Sequence, residues 1–230
     1  MIKAILMDFN GVIIDDEPIQ MRAYQEILAK EGIALTDADY FASLGMDDKT
    51  FVRTAYDRAG ILPETNKILE ITQAKTQKWR DIISSEIPIF SGIENFVRKM
   101  SEEFTLGIVS MAKREEIMHI LETTGLIDCF SIMVTAEDVA ISKPDPECYR
   151  IGFRLLDSAR TSNGHLPMIH SECVVIEDSP PGVAAGKSAG LPVLGVKNTV
   201  GEAELRKAGA DWVAKNLDDW MPGSFRRVFS

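Results

Sequence analysis

Cysteine, histidine and long apolar runs are all scarce in this 230-residue sequence, and each scarcity excludes a class of protein. The three cysteines, Cys129, Cys148 and Cys173, are odd in number and share no C-x-x-C spacing, so neither a disulfide framework nor a structural zinc site is indicated. The three histidines, His119, His165 and His170, stand apart without partner spacing, which leaves them solvated or structural roles. No stretch approaches the ~18 apolar residues that a membrane span requires. The opening Met1-Ile2-Lys3-Ala4-Ile5-Leu6-Met7 meets Asp8 too early for the apolar region of a signal peptide. Basic residues are outnumbered, 25 against 35 acidic ones, and the net charge of −10 repels polyanions, which disfavours nucleic acid and acidic membranes as partners. A small anion could still bind at a local site. These features predict a cytoplasmic protein, monomeric or weakly dimeric.

What is present is ordinary globular material, 45% hydrophobic and 26% charged, in a chain about one and a half times a common domain of ~150 residues. Short runs rich in Ile, Val and Leu predict strands at Ile2–Asp8, Phe104–Ser110, Ser131–Thr135, Cys173–Asp178, Pro192–Lys197 and Asp211–Ala214. Their near-continuous apolarity predicts burial on both faces. Helical patterns begin near Gly92, Lys113, Pro146, Pro181 and Gly201, several closed by a glycine such as Gly125 or Gly190. The alternation predicts an α/β fold with a doubly wound parallel sheet. The segment from Pro18 to Ile87 breaks the alternation and reads as all helix. Its apolar stripes are Ile19, Ala23, Ile27 and Leu28, then Phe51, Val52, Ala55 and Tyr56, then Ile68, Ile71, Trp79, Ile82 and Ile83. Gly32, Gly45, Gly60 and Pro63 divide it into about four helices. We expect a core domain of residues 1–16 and 88–230 and a helical cap domain of residues 17–87, hinged near Asp15–Pro18 and Ser84–Phe90.

Ligands of open α/β sheets bind beyond the carboxyl ends of the strands, and here those ends are polar. The first strand ends in Asp8-Phe9-Asn10-Gly11, the second in Ser110 and the fourth in Glu177-Asp178-Ser179, while Ser142-Lys143-Pro144 follows the third. Singly, each has a plain reading as a loop or helix cap. Together they offer carboxylates for a hard divalent cation, with a lysine and a hydroxyl for a phosphoryl group. Gly11 would let the chain turn so that a backbone carbonyl points at the metal.

Asp8-Phe9-Asn10-Gly11-Val12 resembles the first motif of the haloacid dehalogenase superfamily, Ile108-Val109-Ser110 its second, Lys143-Pro144 its third, and Val175-Ile176-Glu177-Asp178-Ser179 with Gly182, Gly186 and Gly190 its fourth. The helical insertion resembles the cap of the subfamily that includes phosphoglycolate phosphatase, sugar-phosphate phosphatases and β-phosphoglucomutase. Glu17-Pro18 resembles its cap-entry dipeptide. The resemblance implies that Asp8 is a nucleophile forming an aspartyl-phosphate and that Ser110 and Lys143 hold the phosphoryl oxygens. It also implies that Mg²⁺ is held by Asp8, the main-chain carbonyl of Asn10 and Asp178, with Glu177 as a further or water-mediated ligand. The implied activity is that of a phosphatase acting on a small phosphorylated metabolite, with a sugar phosphomutase as the alternative. A haloacid dehalogenase would not need Asp178.

One position departs from the pattern: the superfamily's second aspartate, its general acid and base, is Asn10. An amide cannot exchange a proton near neutral pH, so a loss of about 10²–10⁴-fold in turnover is expected. Three origins stay open: an engineered trap, a natural enzyme with a different acid, or a catalytically impaired protein that only binds phosphate ligands. Asp15, Asp16 and Glu17 follow as substitutes, or as acidic first-turn residues of a helix. Lys49 and Arg53, one helical turn apart, or Lys113 and Arg114 after Ser110, could grip a distal carboxylate or phosphate; the alternative is a solvated helix face. Pro181 to Ser188 nearly spells a P-loop, but Pro181 stands where its first glycine would be.

Overall fold

The structure is a computed structural model, and it describes residues 1–64 and 66–229. Six parallel strands, β1 (Ala4–Met7), β2 (Thr105–Val109), β3 (Phe130–Val134), β4 (Cys173–Glu177), β5 (Val193–Val196) and β6 (Trp212–Ala214), form one sheet in the order β3-β2-β1-β4-β5-β6. Each expected strand is present to within two residues at either end. Burial on both faces holds for β1, β4 and β5 and for β2 beyond its first residue, but not for β3 and β6, which are partly exposed. These two are the sheet's edges, where flanking helices cover less of the strand.

Helices α1 (Glu17–Lys30), α2 (Asp37–Phe41), α3 (Asp48–Ala59) and α4 (Lys67–Ile83) fill the interval between β1 and β2, before α5 (Ile93–Glu103). Then α6 (Arg114–Thr123), α7 (Glu147–Ser162), α8 (Pro180–Ser188) and α9 (Glu202–Ala208) cross between strands. A last helix, α10 (Pro222–Val228), lies beyond the elements expected from sequence; it seats Phe225 in the core against Phe96 and Phe104. Positive-φ Gly125 and Gly190 follow α6 and α8 as expected.

The apolar residues segregate into three clusters. Two lie on the faces of the sheet, one including Ile5, Met7, Ile108 and Ile176, the other Leu6, Val109, Tyr149 and Val175. The third belongs to the helical segment: Tyr24, Ile27 and Leu28 of α1 meet Phe51, Val52 and Tyr56 of α3 and Ile71 of α4. Two expected stripe residues differ. Ile82 is exposed and Ile19 packs, partly buried, against the sheet's cluster. Trp79 of α4 is fully buried with that same cluster, so α4 is rooted in the sheet's core. The two connections run side by side, with Asp15 N–H donating to the Pro88 carbonyl at 2.6 Å and Phe90 N–H to the Ile13 carbonyl at 3.2 Å.

Candidate active site

Strand order reverses between β1 and β4, and a sheet of this kind opens its crevice at that point. Pairing of Met7 with Ile176 brings the next residues, Asp8 and Glu177, level with each other. Carboxylate oxygens of Asp8, Glu177 and Asp178 all lie within 4.8 Å of one another, and all three residues are buried. Burial and the neighbouring Glu177 push the Asp8 carboxyl up to about 7, against the opposing pull of Lys143. Burial, Glu177 and Asp8 push Asp178 well above the usual carboxylate range. Three converging acids of hard oxygen donors thus fit a divalent cation, which would relieve their mutual repulsion.

The lysine of the expected set joins the cluster. Lys143 Nζ lies 2.9 Å from Asp8 and 2.7 Å from Glu177 and donates to the Val109 carbonyl at 3.2 Å. Glu177 is occupied on both oxygens: Oε1 accepts from Lys143 and from the Tyr149 hydroxyl at 2.6 Å, Oε2 from Ser179 Oγ at 3.1 Å and Asp178 N–H at 3.2 Å. Asp178 accepts from Thr199 Oγ1. Ser110 Oγ donates to Asn10 Oδ1 at 3.4 Å and accepts from the Ala112 N–H at 3.2 Å. Two glycines make the crowding possible. Gly11 takes φ +70°, and a Cβ there would stand 1.8 Å from Asp178 Oδ2. A Cβ on Gly182 would stand 1.9 Å from Glu177 Oε1.

Asn10 turns its amide to the helical segment. Nδ2 donates to both oxygens of Asp16, at 2.9 and 3.0 Å, and Asp16, fully buried, also accepts from Gln20 Nε2 and Trp79 Nε1, each at 2.8 Å. Of the three acidic candidates after Asn10, Asp15 is exposed, Asp16 is consumed by these donors, and Glu17 lines the cavity. Glu17 accepts from the Tyr40 hydroxyl at 2.6 Å, and burial, then the charge of Asp16, raises its carboxyl to about 7.

Above the strand ends is a cavity of about 100 Å³, roofed by α1, α3 and α4. Asp8, Asn10, Ser110, Lys143 and Asp178 line its floor, and Glu17, Gln20, Tyr24, Asp48, Lys75 and Glu116 line its far side. Lys49 and Arg114, expected as substrate grips, are not among the lining residues. Lys49 is exposed, and Arg114 pairs with Asp138 at 2.6 Å. The mismatch has a physical cause: α3 buries Phe51, Val52 and Tyr56, which turns Lys49 and Arg53 to solvent. Lys75 was missed, although a lysine set between Ile71 and Trp79 at helical spacing was a visible signal. Glu116, in the stripe with Ile117, Ile120 and Leu121, carried the same signal. Lys187 of the near-P-loop bonds Asp211 on the surface.

Residues 5–196 match the family of haloacid dehalogenase-like hydrolases. The chain belongs to this family and is a hydrolase. Among curated relatives, the phosphorylated carbohydrates phosphatase of Thermotoga maritima is 24% identical over 211 residues, 90% of this chain and 92% of that one. The protein SUPPRESSOR OF QUENCHING 1, chloroplastic, of Arabidopsis thaliana is 26% identical over 94% of this chain, which spans 20% of that relative's length. The solved structure of β-phosphoglucomutase from Clostridium difficile superposes with a TM-score of 0.84 at 20% identity, covering 100% of this chain and 97% of that one, and so shares its fold. No helix among the described residues is long and apolar enough to cross a membrane.

Proposed function

We propose that the protein is a Mg²⁺-dependent phosphatase of small phosphorylated carbohydrates, built as a core domain of residues 1–16 and 88–230 under a cap of residues 17–87. The observation that carries this reading is Lys143 Nζ bridging Asp8 and Glu177 at the strand ends, beside Ser110 and at the floor of a cavity. The name of the Thermotoga maritima relative supports the substrate class.

In this reading Asp8 attacks phosphorus, the P–O bond to the ester oxygen breaks and the alcohol portion leaves as its oxyanion, and the resulting aspartyl-phosphate is hydrolysed by water to free Asp8 and inorganic phosphate. Lys143 and Ser110 hold the transferring oxygens, and Glu177 keeps Lys143 aimed at them through the Tyr149 and Ser179 hydrogen bonds. Asp8, the Asn10 carbonyl and Asp178 would hold Mg²⁺, with Glu177, already fully hydrogen-bonded, joining through a water. Mg²⁺ supplies neutralisation of the phosphoryl oxygens, a main demand of phosphoryl transfer. Closure of the cap over a bound phosphate would exclude water from the site and strengthen each of these electrostatic contacts.

Asn10 cannot protonate a leaving oxygen or activate water. Esters with good leaving groups are therefore the best substrates of the first step, and hydrolysis of the aspartyl-phosphate is slow. The test is phosphate release from p-nitrophenyl phosphate and a panel of sugar and polyol phosphates with Mg²⁺, with mass spectrometry of the protein during turnover. The expected result is a burst of p-nitrophenol with a phosphorylated protein. Neither product from any ester would overturn the reading.

A further inference from the structure

We infer that the far side of the cavity reads hydrogen-bond donors and refuses a second anion, so that the substrate is a monophosphate whose other end carries hydroxyl or amino groups. The inference rests on the phosphatase reading and narrows it.

Two buried acceptors without partners open the case. Gln20 Oε1 and Glu116 Oε2 are both buried, with no hydrogen-bond partner, and both residues line the cavity. Gln20 is 6% and Glu116 1% exposed. The amide of Gln20 is fixed in orientation because Nε2 donates to the Asp16 carboxylate, an acceptor only, which leaves Oε1 on the other side. The second oxygen of Glu116 is engaged, accepting from Thr76 Oγ1 at 2.9 Å and Lys75 Nζ at 3.3 Å. A buried acceptor without a donor is unfavourable, and a ligand that brings one is favoured by as much. Hydroxyl and ammonium groups bring donors; a carboxylate or a phosphate dianion brings none.

The cations point the same way. Apart from Lys143 at the phosphate end, Lys75 is the cation lining the cavity among the described residues, and it is committed, 3.0 Å from Asp48 and 3.3 Å from Glu116. Behind it, Lys113 lies 3.4 Å from Asp48 and donates to Thr72 and Thr76. The exposed Lys49, Arg53 and Arg114 are not among the lining residues. An anionic end group would therefore meet the carboxylates of Glu17, Asp48 and Glu116 with no uncommitted ammonium or guanidinium to receive it. A hexose bisphosphate, which a phosphomutase must turn over within its site, is refused on this ground, and so is the carboxylate of phosphoglycolate. A polyol, sugar or amino-sugar monophosphate is accepted.

Calorimetric titration of the whole protein with Mg²⁺ tests this without requiring turnover, using inorganic phosphate, sorbitol 6-phosphate, glucose 1,6-bisphosphate and phosphoglycolate. Sorbitol 6-phosphate should bind about tenfold or more tighter than inorganic phosphate, while the bisphosphate and phosphoglycolate gain nothing over it. Either of them binding as tightly as sorbitol 6-phosphate would overturn the inference, and so would equal binding of sorbitol 6-phosphate and inorganic phosphate, with the phosphatase reading left standing. Failure of inorganic phosphate itself to bind would remove that reading and the inference together. In Glu116→Gln, checked for folding by thermal melting, the preference for sorbitol 6-phosphate over the bisphosphate should shrink severalfold. An unchanged preference in the folded variant would count against the role of Glu116, and the wild-type series decides the substrate class by itself.

Discussion

Asn10 and Asp16 are locked together, the amide of one donating to both carboxylate oxygens of the other at 2.9 and 3.0 Å. The bond ties the loop that follows β1 to the residue that precedes α1, so the position of α1 and the geometry at Asp8 are linked through one side chain. It also fixes the chemistry, because the amide presents donors to an acceptor that no carboxylate at position 10 could satisfy while both are ionised.

Asn10→Asp alone should therefore lose about 1–3 kcal/mol of stability above neutral pH, as two buried carboxylates meet where a hydrogen bond stood. Adding Asp16→Asn should restore most of it, and the double variant should turn over sugar phosphates about 10²–10⁴-fold faster than wild type. Chemical denaturation of the four proteins of the cycle, with steady-state rates, checks both halves. Additive losses in the double variant would show that the pair is not coupled.

Lys143 is fully surrounded, and its charge answers Asp8 and Glu177 at once. Lys143→Met should abolish phosphate binding and cost about 3–5 kcal/mol, the penalty of leaving buried carboxylates without their cation. Urea unfolding with and without Mg²⁺ measures it. Part of the loss should return with the metal, since a divalent cation replaces the missing charge.

Mg²⁺ at concentrations well above its dissociation constant should raise the melting temperature of the wild type by mass action. Asp178→Asn should erase that rise, and calorimetry should show the binding heat lost with it. A rise of equal size in the variant would place the metal elsewhere.

Glu17 gives the pH dependence a sign. Its carboxyl is raised to about 7 from an ordinary 4.5, so between those values the folded protein keeps a proton that the unfolded chain has released. Stability from this group is present at low pH and lost as pH rises through about 7. Glu17→Gln, which keeps an acceptor for the Tyr40 hydroxyl, should match the wild type near pH 5 and melt a few degrees higher near pH 8. Parallel melting curves across that range would contradict the shift.

The floor of the site was legible in the sequence because parallel strands announce themselves as apolar runs and their polar ends are adjacent to those runs in the chain. Asp8, Ser110, Lys143 and Asp178 needed only strand order to be brought together. The far side was not legible in the same way. Tyr24, Asp48, Lys75 and Glu116 come from four different helices, and their meeting depends on how α1, α3 and α4 pack over α6. Charge pairs one turn apart, such as Lys49 and Arg53, mark an exposed face as readily as a binding one. The better signal was the reverse pattern, a single charge inside an apolar stripe, as at Lys75 and Glu116, because burying such a group is unfavourable without a partner or a ligand.

The helices α1 to α4 hold their own apolar cluster, separate from the two on the sheet, while Asp8 and Asp178 stand at strand ends on the cavity floor. Inheritance can act on the two parts at different rates. An exchange among the roof residues would change which clients are admitted, whereas an exchange at a strand end such as position 10 would change what happens to every client at once.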